Sequence, residues 1–206
     1  RDFVELPSQI NEHWAFHPEV LAVYARHYKT GEIIPMELVD KIQESGKYGQ
    51  GFATTEYLAA SLLDMDFHTL KQIPEGFNVV DFEQQTLGKR GLLKQIPPRY
   101  RTTYFNHTMG GGYTAGYYSY LWAEVLDKDA YQAFVESGDI FNKRIATDFR
   151  NKLLARGGEA DGMDLYRAFR GADPDRKPLL LGRGLIEEEP VVEEENKPTL
   201  TIQEIE

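Results

Sequence analysis

Residues 104–122, Tyr-Phe-Asn-His-Thr-Met-Gly-Gly-Gly-Tyr-Thr-Ala-Gly-Tyr-Tyr-Ser-Tyr-Leu-Trp, crowd phenols, glycines and one histidine into a short stretch. Tyr113, Tyr117, Tyr120 and Glu124 stand at i, i+4, i+7 and i+11, so on a helix the three phenols share one stripe. A phenol is a neutral donor at pH 7 and can hydrogen-bond a developing oxyanion without a prior proton exchange. Gly110, Gly111 and Gly112 leave backbone N–H groups open to pair with an extended peptide, and His107 adds a further donor. The competing reading is packing, because an aromatic stripe at helical spacing is commonly core. Against it, Leu121, Trp122 and Val125 already meet the apolar demand, and three buried phenols would need three hydroxyl partners.

A second constellation opens the chain, Asp2-Phe3-Val4-Glu5-Leu6-Pro7-Ser8-Gln9. On helical spacing Glu5, Ser8, Gln9 and Glu12 point to one side. Alone, that patch reads as a solvated helix face, and a single glutamate specifies no metal. His13 and His17 are four apart, as zinc-binding histidines are. Between them stand Trp14, Ala15 and Phe16 with no glutamate to serve as base, so they read as incidental. His27 and His68 read as surface or capping groups.

The elements that must position these groups are mainly helical, with apolar residues recurring at three and four and Pro or Gly at the breaks. The spacing predicts helices over about 3–16, with Pro7 in the first turn, from Pro18 to Gly31, over 35–45, through Tyr57 to Phe67, and over 78–94. Residues 46–51 are expected to form a glycine-rich loop, either facing substrate and moving on closure or simply connecting two helices. After the Ile96-Pro97-Pro98 break, the glycine loop 107–112 should lead into an aromatic helix over 113–126. Further helices are expected over 130–137, 140–155 and 164–169.

The 206 residues, 41% apolar and 12% aromatic, are enough to bury a core. Residues 186–206 hold eight Glu against one Lys and supply −7 of the formal charge of −10, leaving −3 on the body. That tail, acidic and poor in aromatics, is expected to be disordered. Neither part offers the basic stripe that a phosphate backbone requires, which argues against nucleic acid as a partner. No run of eighteen apolar residues suggests insertion into a membrane. The absence of cysteine excludes disulfides and thiolate metal sites within the chain.

Both chemical stretches resemble the thimet oligopeptidase and dipeptidyl carboxypeptidase family of zinc metallopeptidases. Arg1-Asp2-Phe3-Val4-Glu5-Leu6-Pro7-Ser8-Gln9 is similar to its segment bearing the third zinc ligand, and Gly-Gly-Tyr-x-Ala-Gly-Tyr-Tyr-x-Tyr-x-Trp to its substrate-side loop and helix. The similarity runs through Leu179-Leu180-Leu181-Gly182-Arg183-Gly184-Leu185. It implies a mainly α, multi-helix C-terminal part of a gluzincin-type catalytic domain over residues 1–185, with the acidic tail 186–206 beyond. Zinc would be held by Glu5, leaving a position for water. The resemblance further implies Tyr120 as the oxyanion donor, with His107 beside it in catalysis. Tyr113, Tyr117 and the glycines Gly110, Gly111 and Gly112 would bind substrate.

The family's His-Glu-x-x-His helix does not occur in this chain. Two zinc ligands and the general base are therefore expected from a preceding N-terminal part of the same enzyme, and the chain alone is expected to be inactive. The three consecutive glycines are more like dipeptidyl carboxypeptidases, which implies release of C-terminal dipeptides from short peptides. Arg99, Arg101 and Arg150 are candidates to meet the substrate's terminal carboxylate, and Glu12 to orient a ligand from outside the coordination sphere. The alternative from another class is a noncatalytic helical module that holds a peptide or protein with its tyrosine stripe and glycine loop and needs no metal.

Overall fold

A computed structural model describes residues 2–187. The reading of a disordered tail falls, from residue 188 onward, outside the described residues. Among the described residues there are ten α-helices, and the extended pairing is confined to one isolated antiparallel bridge, Arg26 with Ile33. No helix of the described residues is long and apolar enough to cross a membrane. The mainly α expectation holds.

Helix α1 (Leu6–Ala15) starts later than its apolar spacing suggests, with Glu5 at its N-cap position and Pro7 in its first turn. Proline is tolerated there because its missing N–H would have no helical acceptor anyway. Leu6 and Ile10, both fully buried, pack with Leu126, Ala130 and Tyr166. Leu126 and Ala130 belong to the long helix α7 (Ser119–Glu136), the main partner of α1, and Tyr166 to α9 (Gly162–Arg170). This contact places the residue preceding α1 beside the start of α7.

Helix α2 (Pro18–Tyr24) is shorter than expected, because the chain turns at Gly31, φ 74°, and pairs back through the Arg26–Ile33 bridge. Residues 46–51 are not a loop. Gly46 lies within α3 (Met36–Lys47) and Gly51 within α4 (Gln50–His68), so only Tyr48 and Gly49 separate the helices. Gly49, at φ 71°, reverses the chain in the left-handed region that favours glycine. Helix α4 has two inner surfaces. Ala59 and Leu63 meet Leu87 of α5 (Val79–Lys89), and Ala60 meets Phe105 and Tyr117.

The segment after α5 is tied down by Glu83, buried on α5. Its carboxylate accepts from Arg101 Nε, from the Thr102 N–H at 2.8 Å and from Thr102 Oγ1 at 2.8 Å. Removing it leaves the buried Thr102 donors unsatisfied. Glu83→Ala is accordingly expected to destabilise the fold by on the order of 3 kcal/mol. The shift in the urea unfolding midpoint measures it, and a change below about 1 kcal/mol would show that the segment does not depend on this carboxylate.

The chain continues through a 3-10 turn (Thr102–Tyr104) and the one-turn helix α6 (Asn106–Met109) to α7. Helix α7 is continuous where a break near 126–130 was expected. Buried Ala123, Leu126, Ala130 and Phe134 carry one apolar face across the expected break. Helices α8 (Lys143–Lys152) and α9 close over the first core, and α10 (Lys177–Gly182) lies against α7. Arg183, just past α10, donates to Glu124 of α7 and, at 2.8 Å, to Thr54 Oγ1 of α4. It joins three helices at one side of a cleft.

Candidate active site

The aromatic segment departs from the sequence reading at residues 113–118, which form successive turns rather than helix. Its conformation is imposed from α4. Asp64, fully buried, accepts the N–H of Ala115 at 3.1 Å and that of Tyr117 at 2.9 Å. Ala115 is held at φ 50°, the one non-glycine residue with positive φ among those described. A left-handed residue bearing a Cβ costs roughly 1–2 kcal/mol and cannot continue a right-handed helix. Two turns before Asp64, the Tyr57 hydroxyl donates to the Tyr117 carbonyl at 2.6 Å and accepts the Leu121 N–H at 3.2 Å. Burial pushes the Tyr57 phenol up to about 12, which keeps it a donor at neutral pH.

These restraints separate the three tyrosines of the expected stripe. Tyr117 is buried against Ala60 and Phe105, its ring 5.1 Å from that of Tyr57, and burial raises its phenol. For this residue the packing reading applies, although it still touches the cleft. Tyr113 and Tyr120 are partly exposed and stack on each other, ring centres 4.9 Å apart and planes 23° apart. The Tyr113 hydroxyl donates to the Glu5 carboxylate, 108 positions earlier in the chain. That hydrogen bond, followed by one with Tyr120, raises the Tyr113 phenol above its ordinary value, so it too is protonated and a donor.

Glu5 is oriented by two hydroxyls, since its other oxygen accepts from Ser8 Oγ at 3.0 Å. Gln9, one turn further along α1, donates to the Tyr120 carbonyl at 3.2 Å and links the glutamate-bearing helix directly to α7. Of the expected polar side of α1, Glu12 remains exposed. The His107 ring packs 5.0 Å from Tyr100, 5.5 Å from Tyr117 and 6.2 Å from Tyr120. Gly110, Gly111 and Gly112 lie on the exposed turn after α6. Gly111 has a steric reason to be glycine: a Cβ there would lie 2.8 Å from the His107 carbonyl oxygen and 2.9 Å from that of Asn106.

A cleft of about 570 Å³ runs beside this group, lined among others by Gln9, Tyr57, Arg99, His107, Tyr117 and Tyr120. Gln9, Glu124 and Lys128 also line a neighbouring hollow, so the two are contiguous. Tyr113 and Glu5 are not among the residues lining it. Of the three arginines considered for a substrate carboxylate, Arg99 lines the cleft, Arg101 is bound to Glu83, and Arg150 lies on α8 away from it.

The histidines set aside in the sequence have structural roles. His13 stacks on Tyr131 and bonds the buried Asp127 at 2.7 Å, and His17 caps α2. His68 is more than a surface group, because its Nδ1 lies 2.9 Å from Asp64 Oδ1. Asp64 and Tyr57 were the residues that sequence reasoning missed. The one available signal was the Asp64–His68 spacing of four on this helix.

A carboxylate oxygen is an ordinary zinc donor, so Glu5 fits as one ligand. Among the described residues no group of three or more His, Cys, Asp or Glu side chains could hold a metal ion. One carboxylate does not make a zinc site, and the remaining donors would have to come from outside these residues.

Comparison with known proteins identifies the family. Dipeptidyl carboxypeptidase of Salmonella typhimurium (strain LT2) is 48% identical over 186 residues, which cover 90% of this chain and 27% of that protein. The dipeptidyl carboxypeptidase of Escherichia coli (strain K12) gives the same figures. Oligopeptidase A of Escherichia coli is 38% identical over 189 residues, covering 89% of this chain and 27% of its own length. The chain thus spans little more than a quarter of these relatives. Residues 1–185 match the family model described as Peptidase family M3, and the chain belongs to that family.

Proposed function

We propose that this chain is the part of a zinc-dependent peptidase that supplies one metal ligand, Glu5, and the phenols that stabilise the oxyanion of peptide hydrolysis. The observation that carries the reading is the Tyr113–Glu5 hydrogen bond, with Tyr120 stacked on Tyr113 at the edge of the cleft. It joins the two stretches that the resemblance marks as metal-binding and substrate-binding.

In this reading Glu5 and two histidines from the upstream part of the enzyme would hold zinc, which would supply Lewis-acid polarisation of the scissile carbonyl and activation of a water. The phenols of this chain act as neutral donors. Tyr120 donates to the developing oxyanion, and Tyr113 fixes the orientation of the Glu5 carboxylate while buttressing the Tyr120 ring. His107 donates to the substrate backbone from the cleft wall. The N–H groups of the exposed glycine turn pair with an extended peptide. Tyr117 contributes a wall. Arg99, at the cleft, meets the terminal carboxylate of the substrate, which favours release of C-terminal dipeptides from short peptides. The names of the 48% identical relatives support that preference.

The test is a paired assay. The parent enzyme is expected to cleave an oligopeptide with a free C-terminus to dipeptide products, read by mass spectrometry, and to lose activity to a chelator. The chain alone, dialysed against chelator and then offered zinc, is expected to retain much less than one equivalent by elemental analysis and to give no turnover, because it holds a single ligand and no general base. Stoichiometric zinc on the isolated chain would contradict the assignment, as would chelator-resistant hydrolysis by the parent.

A further inference from the structure

We infer that Asp64 is a positioning residue for the two phenols: from α4 it fixes the turn that aims Tyr113 and Tyr120, and it acts on turnover only through them. The inference rests on the reading of Tyr120 as the oxyanion donor.

Asp64 is fully buried and is not among the residues lining the cleft, so substrate does not reach it. Its carboxylate is spent on holding this turn. One oxygen takes the Ala115 N–H at 3.1 Å and lies 2.9 Å from His68 Nδ1; the other takes the Tyr117 N–H at 2.9 Å. Tyr57 grips the same segment through the Tyr117 carbonyl and the Leu121 N–H. Residues 115–121 are thus held to one face of α4, with Tyr120 inside the clamp and Tyr113 just before it.

The turn has a shape it would not keep unaided. Ala115 lies at φ 50°, a conformation that persists in a residue with a Cβ only when its surroundings impose it. The two N–H groups that Asp64 takes lie just before α7, which begins at Ser119. The stack of Tyr113 on Tyr120 and the reach of Tyr113 to Glu5 depend on this arrangement. A displacement of about 1 Å at an oxyanion donor is enough to cost about a hundredfold in rate.

Asp64→Asn keeps the side chain's shape but places an NH2 group against one of the two backbone N–H donors. In the full-length enzyme it is expected to lower kcat by about tenfold to a hundredfold, with KM within about threefold and zinc content at the parental level. The discriminating measurement is a double-mutant cycle with Tyr120→Phe. Once the phenol hydroxyl is gone, Asp64→Asn should lower kcat by less than about threefold. The inference is overturned if Asp64→Asn leaves kcat within about threefold of the parent, or lowers it by the same factor in both backgrounds. If Tyr120→Phe by itself leaves kcat unchanged, the reading of the oxyanion donor falls and this inference falls with it. Should Asp64→Asn fail to accumulate as folded enzyme, Tyr57→Phe replaces it in the cycle. It removes the second grip and is expected to give a smaller loss with the same dependence on the Tyr120 hydroxyl.

Discussion

Replacing Tyr120 by Phe in the full-length enzyme is expected to lower kcat by about a hundred- to a thousandfold, the usual consequence of removing one oxyanion donor. The substitution deletes a hydroxyl and with it the hydrogen bond between Tyr120 and Tyr113. The Tyr120 ring would keep its stack on Tyr113 at 4.9 Å and its contacts with Tyr117 and His107, and its carbonyl would still receive Gln9. Because the donor acts on charge that appears only in the transition state, KM should change little while kcat and kcat/KM fall together. Steady-state kinetics on an internally quenched oligopeptide measure both quantities. A loss smaller than about threefold would remove Tyr120 from the oxyanion role and return the tyrosine cluster to packing.

Loss of the Glu5 carboxylate should have the other large effect. Glu5→Ala in the parent enzyme is expected to weaken zinc binding by more than a hundredfold, so that dialysis leaves it nearly metal-free and inactive. The comparison that sets this floor is the loss of a group that merely orients a ligand, which costs about ten- to a hundredfold; removal of the ligand itself must exceed it. Ser8 and Tyr113, which hold the carboxylate from its two oxygens, fall in that milder class. The effect is separable from misfolding. Glu5 is only partly buried and precedes α1, whereas Leu6 and Ile10 provide the buried contact with α7. Unchanged helical circular dichroism with absent zinc would support the role. Retention of one equivalent of zinc would exclude Glu5 as a ligand.

Much of this site was legible from residue types and local spacing, for reasons that differ from residue to residue. Glu5-Leu6-Pro7-Ser8 carries both the proline that starts α1 and the hydroxyl that meets the glutamate, all within one turn. The two buried positions of α1, Leu6 and Ile10, follow the helical period. The glycine run predicted a backbone turn, and the turn is there, although Gly111 is small because the chain folds back onto α6. The expected helix over 113–126 began at Ser119 instead. Its period was right for residues 119–126 and wrong for 113–118, because Asp64 and Tyr57 compete for the same backbone groups that a helix would use. Residues 46–51 failed in the opposite sense. Two glycines within helices are tolerated at a cost of about 1 kcal/mol each when the rest of the segment packs.

By itself, the sequence determined the helical class, the carboxylate of Glu5 ahead of a proline, a cluster of neutral phenols, and the absence of a His-Glu-x-x-His motif from these residues. All of these are properties of residue type or of spacing within a few positions. Tertiary structure decided which phenol is buried, which one reaches Glu5, and which buried acid on α4 holds them there. Those choices depend on hydrogen bonds between groups 51 to 108 positions apart, whose partners are selected by the packing of α1, α4 and α7 and leave no periodic trace in the chain.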